Sequence, residues 1–108
     1  MGLCLVAGAL VARLAITSFT LAWTHSVEKV RWEEDWRVQG SMLVIDESRL
    51  KGSGAGMEPP DDAVLAGGYW HYRPLLDPLP EVELARSGVV PDWQLCLLGS
   101  CREIAAYL

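Results

Sequence analysis

Two ionisable side chains, His25 and Glu34, occupy positions that strand alternation would otherwise give to apolar residues. In Phe19–Val27, the residues Phe19, Leu21, Trp23 and Val27 fall on one side of a strand, and His25 completes the series. In the next segment Val30, Trp32, Trp36 and Val38 share a side, with Glu34 between the two tryptophans. Successive strand side chains point to opposite faces, so His25 and Glu34 are directed at an apolar layer. Charge there is costly unless it is paired. A four-residue loop at Glu28–Arg31 sets Val27 opposite Trp32, His25 opposite Glu34, Trp23 opposite Trp36 and Leu21 opposite Val38. A two-residue Glu28-Lys29 turn would keep the same faces, but neither residue favours the positive φ such turns demand. A second reversal at Gly40-Ser41 sets Val38 against Leu43, Trp36 against Ile45 and Glu34 against Glu47. The expectation is a row of His25, Glu34 and Glu47 across three strands.

An imidazole beside two carboxylates in an apolar setting is held as the cation, or drives one carboxylate to take up a proton. Such a row can grip a cationic or hydrogen-bonding ligand, or hold a metal weakly through His/Glu/Glu. It can equally be a structural His–Glu hydrogen bond that fixes strand register, with Glu47 solvated at the edge. If that bond exists, Glu34→Gln costs about 1–3 kcal/mol. No nucleophile accompanies the row, because Ser26 falls on the face opposite His25. The chain is therefore expected to be non-enzymatic. Four ligands at zinc spacing are missing, and no cofactor is implied. The run GSGAG (Gly52–Gly56) lacks the Gly-Lys-Ser/Thr and following helix of a phosphate loop; Met57-Glu58-Pro59-Pro60 comes instead. It reads as a tight backbone turn, with ligand contact through Gly54 and Gly56 as the alternative. Tyr69–Tyr72 alternates so that Tyr69 and His71 share one face, either stacking on the tryptophan core or walling a ligand.

These positions depend on strands. Short alternating stretches recur with turn residues at roughly eight- to twelve-residue intervals, which predicts one all-β domain, a small antiparallel sandwich or open barrel of about eight strands. The expected strands are Leu3–Ala7, Leu10–Ile16, Phe19–Val27, Trp32–Val38, Met42–Lys51, Gly68–Arg73, Trp93–Leu97 and Cys101–Ala105. EPPDDAVLAGG reads as a loop with at most one helical turn, and PLLDPLPEVELARSGVVPD as an irregular cover over one end of the sheet. Met1–Ala12 is apolar but has no basic residues ahead of it, and Arg13 interrupts the run well short of the roughly 20 residues of a membrane helix. It predicts a hairpin about a Gly8-Ala9 type II′ turn, with neither a signal peptide nor membrane insertion.

With 108 residues the chain suits a single core, and 51% apolar content suits packing rather than disorder. The net charge of −5, with no basic cluster longer than two residues, disfavours a nucleic-acid or anionic-membrane partner. Three cysteines allow one internal disulfide. Cys96 and Cys101 lie equidistant from a Leu97–Ser100 turn, which brings cross-strand Cβ atoms to about 4.5–5.5 Å, near the separation a disulfide accepts. The alternative is a pair of reduced, half-buried thiols. A bridge points to an oxidising compartment. Cys4 is expected to pack as a small hydrophobe.

The runs WTHSVEKVRWEEDWRV (Trp23–Val38), KGSGAGMEPP (Lys51–Pro60), GGYWHYRP (Gly67–Pro74) and WQLCLLGSC (Trp93–Cys101) follow one another across nearly the whole chain. Together they resemble the bacterial domain of unknown function 1850 family. The resemblance implies a small protein associated with tripartite ATP-independent periplasmic (TRAP) transporters, particularly the TAXI subtype, commonly exported to the periplasm or cell envelope. It offers no activity, ligand or catalytic residue to carry over. The resulting expectation is an accessory or binding module whose partners are TRAP transporter subunits, met through the Trp-rich sheet or the Gly52–Gly56 loop. A small-ligand or metal-binding domain on His25, Glu34 and Glu47 is the alternative.

Overall fold

A computed structural model describes residues 2–24, 30–51, 60–84 and 93–108. The strands are β1 Leu3–Ala7, β2 Leu10–Leu14, β3 Ser18–Thr24, β4 Arg31–Gln39, β5 Met42–Lys51, β6 Val64–Ala66, β7 Tyr69–Tyr72, β8 Gln94–Leu97 and β9 Ser100–Glu103, followed by a 3-10 turn at Ile104–Tyr107. They form two antiparallel sheets, the hairpin β1–β2 and a seven-stranded sheet in the order β6-β7-β5-β4-β3-β8-β9. The fold is all-β, as alternation predicts, and β4 is its central strand. No helix among the described residues is long and apolar enough to cross a membrane.

Strands β1 and β5 begin and end where alternation places them. The clear difference is β6, in a segment whose composition reads as loop. Gly67 and Gly68 both have positive φ, 61° and 83°, the combination a two-residue type I′ hairpin turn requires. That turn folds Val64–Ala66 back onto Tyr69–Tyr72. The last strand is also shorter than expected. It stops at Glu103, and the 3-10 turn buries Ile104 against the core.

Register decides what the sheet presents. Between β3 and β4 the pairs are Trp23 with Trp32, Leu21 with Glu34 and Phe19 with Trp36. This is four residues away from the expected pairing, an even slide that keeps every face and changes every partner. It lets the Trp23 and Trp32 rings stack at 5.6 Å between centroids, while Trp23 lies 4.3 Å from Trp93. The β4–β5 pairing begins as predicted, with Val38 opposite Leu43 and Trp36 opposite Ile45. A bulge then intervenes, and Asp35 faces Glu47 while Glu34 faces Ser48. Asp46 is the extra residue. Its carboxylate accepts a hydrogen bond from Arg37 Nε at 2.9 Å, and its carbonyl accepts one from Arg73 Nε at 3.2 Å. A one-residue slip exchanges faces. Ile45 therefore points to the apolar side and Glu47, two residues on, to the polar side.

The apolar side carries Phe19, Leu21, Trp36, Ile45 and Leu95, joined by Leu3 from the hairpin and by Ile104. Leu5 and Leu14 of the hairpin pack on them, with Leu79, Val82 and Leu84 from the irregular segment. That segment is tied down by two backbone hydrogen bonds between Leu43 and Leu79, at 2.6 and 2.9 Å. The second layer is thus a two-stranded hairpin and a strap rather than a second full sheet.

The β8–β9 hairpin turns on Leu98 and Gly99, with φ of 51° and 82°. A left-handed conformation costs an L-residue about 1–2 kcal/mol, and the Leu98 side chain is fully in solvent, so packing returns nothing. The bridge between Cys96 and Cys101, whose Cα atoms are 3.9 Å apart, holds this turn closed. Leu98→Asn, the residue such turns favour, is expected to raise the unfolding free energy by up to about 1 kcal/mol, read as a higher urea midpoint. The double variant Cys96→Ala/Cys101→Ala is expected to lose roughly 2 kcal/mol for so short a loop. An unchanged midpoint in the first variant would mean that the turn stores no strain.

Candidate functional site

The polar side of the sheet is organised around one guanidinium. On β4 the residues Arg31, Glu33 and Asp35 alternate with the inward Trp32, Glu34 and Trp36, and on β5 Glu47 and Arg49 lie on the same outer side. Arg49 Nε donates to Glu33 Oε1 at 2.9 Å, Nη1 to Glu47 Oε2 at 2.8 Å, and Nη1 and Nη2 form a two-pronged pair with Asp35. Thr20 Oγ1 on β3 donates to Asp35 Oδ1 at 2.7 Å. Arg31 Nε reaches the other Glu33 oxygen at 2.8 Å, and its Nη1 reaches Gln94 Oε1 on β8 at 2.9 Å. On the far side His71 Nδ1 lies 3.0 Å from Glu47 Oε1, and Nε2–H donates to the Ala66 carbonyl at 3.0 Å. The chain of contacts runs from β8 through β4 and β5 to β7 and β6.

Burial by itself would push the Glu33 and Asp35 carboxyls up. Hydrogen bonds from Arg31 and Arg49 to Glu33, and from Arg49 and Thr20 to Asp35, outweigh it and hold both below their ordinary range. The same bonds, that to Asp35 foremost, hold Arg49 firmly protonated against its own burial. Fork-shaped guanidinium donors match carboxylates two at a time, which a lysine cannot do.

Glu34 lies on the opposite, apolar side, in the middle of the central strand. Burial pushes its carboxyl up, opposed by the hydrogen bond that Trp36 Nε1 donates to Oε1 at 3.2 Å. Its neighbour across the bulged pairing, Ser48, is 2% exposed and shares a side-chain hydrogen bond with Tyr72. Burial, and then the Glu34 charge, push the Tyr72 phenol up against that bond. A carboxyl so placed is best accommodated neutral.

The expected row does not form. Glu34 and Glu47 are on opposite faces, because the bulge at Asp46 shifts the phase of β5 between Ile45 and Glu47. The β3–β4 register sets Leu21, not a histidine, opposite Glu34. His25, Gly54 and Gly56 lie outside the described residues. The histidine that does meet Glu47 is His71. The Cys96–Cys101 disulfide forms as the spacing predicts, between directly opposed residues. Cys4 is exposed rather than packed, since Leu3 and Leu5 take the inward positions of β1. Among the described residues no group of three or more His, Cys, Asp or Glu side chains is arranged to hold a metal ion. Sequence reasoning followed the misplaced Glu34 and passed over Arg49, Asp35 and Glu33. The polar series Arg31, Glu33, Asp35, Arg37 was the available signal.

Removing the hub leaves three partly buried carboxylates facing one another. Arg49→Met is expected to cost about 2–4 kcal/mol, less than a fully buried pair because water reaches the rim. Glu33 and Asp35 are depressed, so their contribution is present above their unfolded values near pH ~4 and lost as pH falls through the lower folded values. The gap between wild type and Arg49→Met should therefore be widest at neutral pH and narrow as the pH falls through the lowered folded values. Glu34 has the opposite sign: its raised carboxyl contributes below the unfolded value and loses that contribution as pH rises through the folded one. The sign expected for Glu34→Gln consequently reverses. The variant keeps an acceptor for Trp36 and gains stability over wild type, more at pH 8 than at pH 4, in paired urea melts. A loss of stability at both values would show that the charge is paired.

No curated protein and no solved structure matches the chain. The domain of unknown function 1850 family matches residues 19–104, from the start of the Phe19 core face to Ile104, and so covers β3 to β9 with the whole ionic network and the disulfide. On that span, which is most of its length, the chain belongs to the domain of unknown function 1850 family.

Proposed function

We propose that the chain is a non-enzymatic accessory module that works by protein–protein contact at the cell envelope, beside a TRAP transporter of the TAXI subtype. One observation carries the contact reading: the two edges of the seven-stranded sheet differ in kind. Edge strand β9 has Arg102 and Glu103 and is bridged to β8. Edge strand β6 is Val64, Leu65 and Ala66, uncharged, with Val64 63% and Leu65 56% exposed. Sheet edges are ordinarily blunted by charge, and an uncharged apolar edge suits strand addition by a partner. Glu33, Asp35 and Glu47 on the polar face are engaged around Arg49, which favours a rigid platform over a reaction centre. The disulfide supports an oxidising compartment, and the family resemblance supports the transporter as partner.

Affinity capture from envelope extract with the tagged chain, with mass spectrometry of what is retained, tests the reading. Wild type is expected to retain a TAXI-type solute-binding or membrane subunit, and Leu65→Lys to lose it while melting at the same temperature. A melting temperature raised by a divalent metal or a small organic acid, with no transporter subunit retained, would overturn it in favour of a small-ligand protein.

A further inference from the structure

A cleft of about 770 Å³ opens between β1 and the strap Pro80–Leu84, and no β6 residue lines it. Residues 2–7 make one wall, residues 80–84 the other, and Phe19, Leu21, Val38, Leu43 and Leu95 the floor. Strand β1 pairs with β2 alone, and among the described residues no backbone hydrogen bond joins its other edge. In an antiparallel strand every second residue directs its N–H and C=O to each side, so the cleft wall presents donors and acceptors that no backbone among the described residues pairs. The opposite wall alternates: Val82 and Leu84 pack on the core, while Glu81 and Glu83 stand in solvent at the rim.

We propose that this cleft takes an extended segment of a partner protein as an added strand on β1. Apolar side chains at every second position of that segment lie on the floor, and lysine or arginine at the intervening positions lies beside Glu81 and Glu83. Each part of the match has its own cause. The open edge calls for a backbone, which an apolar small molecule lacks. The floor calls for period-2 apolar side chains. The two rim carboxylates on a chain of net charge −5 call for cations. A second copy of this chain fits worse, since its own β1, LCLVA, has no cation to offer and both copies are acidic. The β1 cleft is a surface separate from the β6 edge, and the inference goes beyond the contact reading without depending on it.

The probe is a capped heptapeptide of alternating lysine and valine, titrated into the full chain by tryptophan fluorescence, with Trp93 lining the cleft. The control peptide has glutamate for lysine. Saturable binding of the lysine peptide is expected, weakened about tenfold or more by Glu81→Lys/Glu83→Lys. Both positions are exposed, so the variant should melt with wild type. Amide hydrogen exchange should slow in β1 on binding. Equal affinity for the two peptides, no saturation, or protection in β6 instead of β1 would overturn the proposal. Protection of β1 that grows with protein concentration in the absence of peptide would also overturn it, in favour of self-association.

Discussion

One residue without an opposite number, Asp46, decides how charge is distributed over this sheet. Before it, the inward residues of β5 are Leu43 and Ile45; after it they are Ser48 and Leu50. The slip turns Glu47 and Arg49 outward, where Arg49 meets Glu33 and Asp35. An unbulged strand would instead direct Glu47 and Arg49 at Trp32 and Trp36 and expose Leu50, which is 2% exposed here. Burying an ion in such a layer costs several kcal/mol, well beyond the loss of one ladder contact. The bulge is stabilised locally as well, because Arg37 and Arg73 both bind Asp46.

The two faces that result use opposite chemistry for the same polar residue types. Outside, three carboxylates converge on one guanidinium, which helps hold Glu33 and Asp35 ionised. Inside, one carboxyl sits among tryptophans and is pushed toward its neutral form. Trp32 Nε1 on that inner side is also buried, with no acceptor among the described residues, an arrangement worth about 1–3 kcal/mol of lost hydrogen bonding. The polar defects of the inner face thus cluster on the central strand, and the outer face is close to self-sufficient.

Most of the architecture could be read from residue order. Alternation identified both faces of β4, the limits of β1 and β5, and the hairpin that joins Cys96 to Cys101. Pairing was less legible, for physical reasons. A four-residue slide of β3 on β4 keeps every face and leaves no trace in the pattern of apolar positions; only the stacking of Trp23 on Trp32 selects it. The bulge did leave a trace, the change from Leu43 and Ile45 to Leu50, but a rule of strict alternation treats Leu50 as an exception. β6 was hidden because two adjacent glycines read equally as a loop and as a type I′ turn. The row of His25, Glu34 and Glu47 failed on these pairings, and His71 met Glu47 through a strand that alternation placed correctly but had no means to order.

The disulfide joins positions only five apart, so it fastens one edge hairpin and nothing more distant. The tryptophan layer, the guanidinium hub and the Leu43–Leu79 clasp are all formed without it. Reduction would unfasten β9 and leave the bulk of the domain standing. Acquiring the fold therefore does not have to wait for an oxidant, and the thiols can close after the rest of the chain has taken its shape.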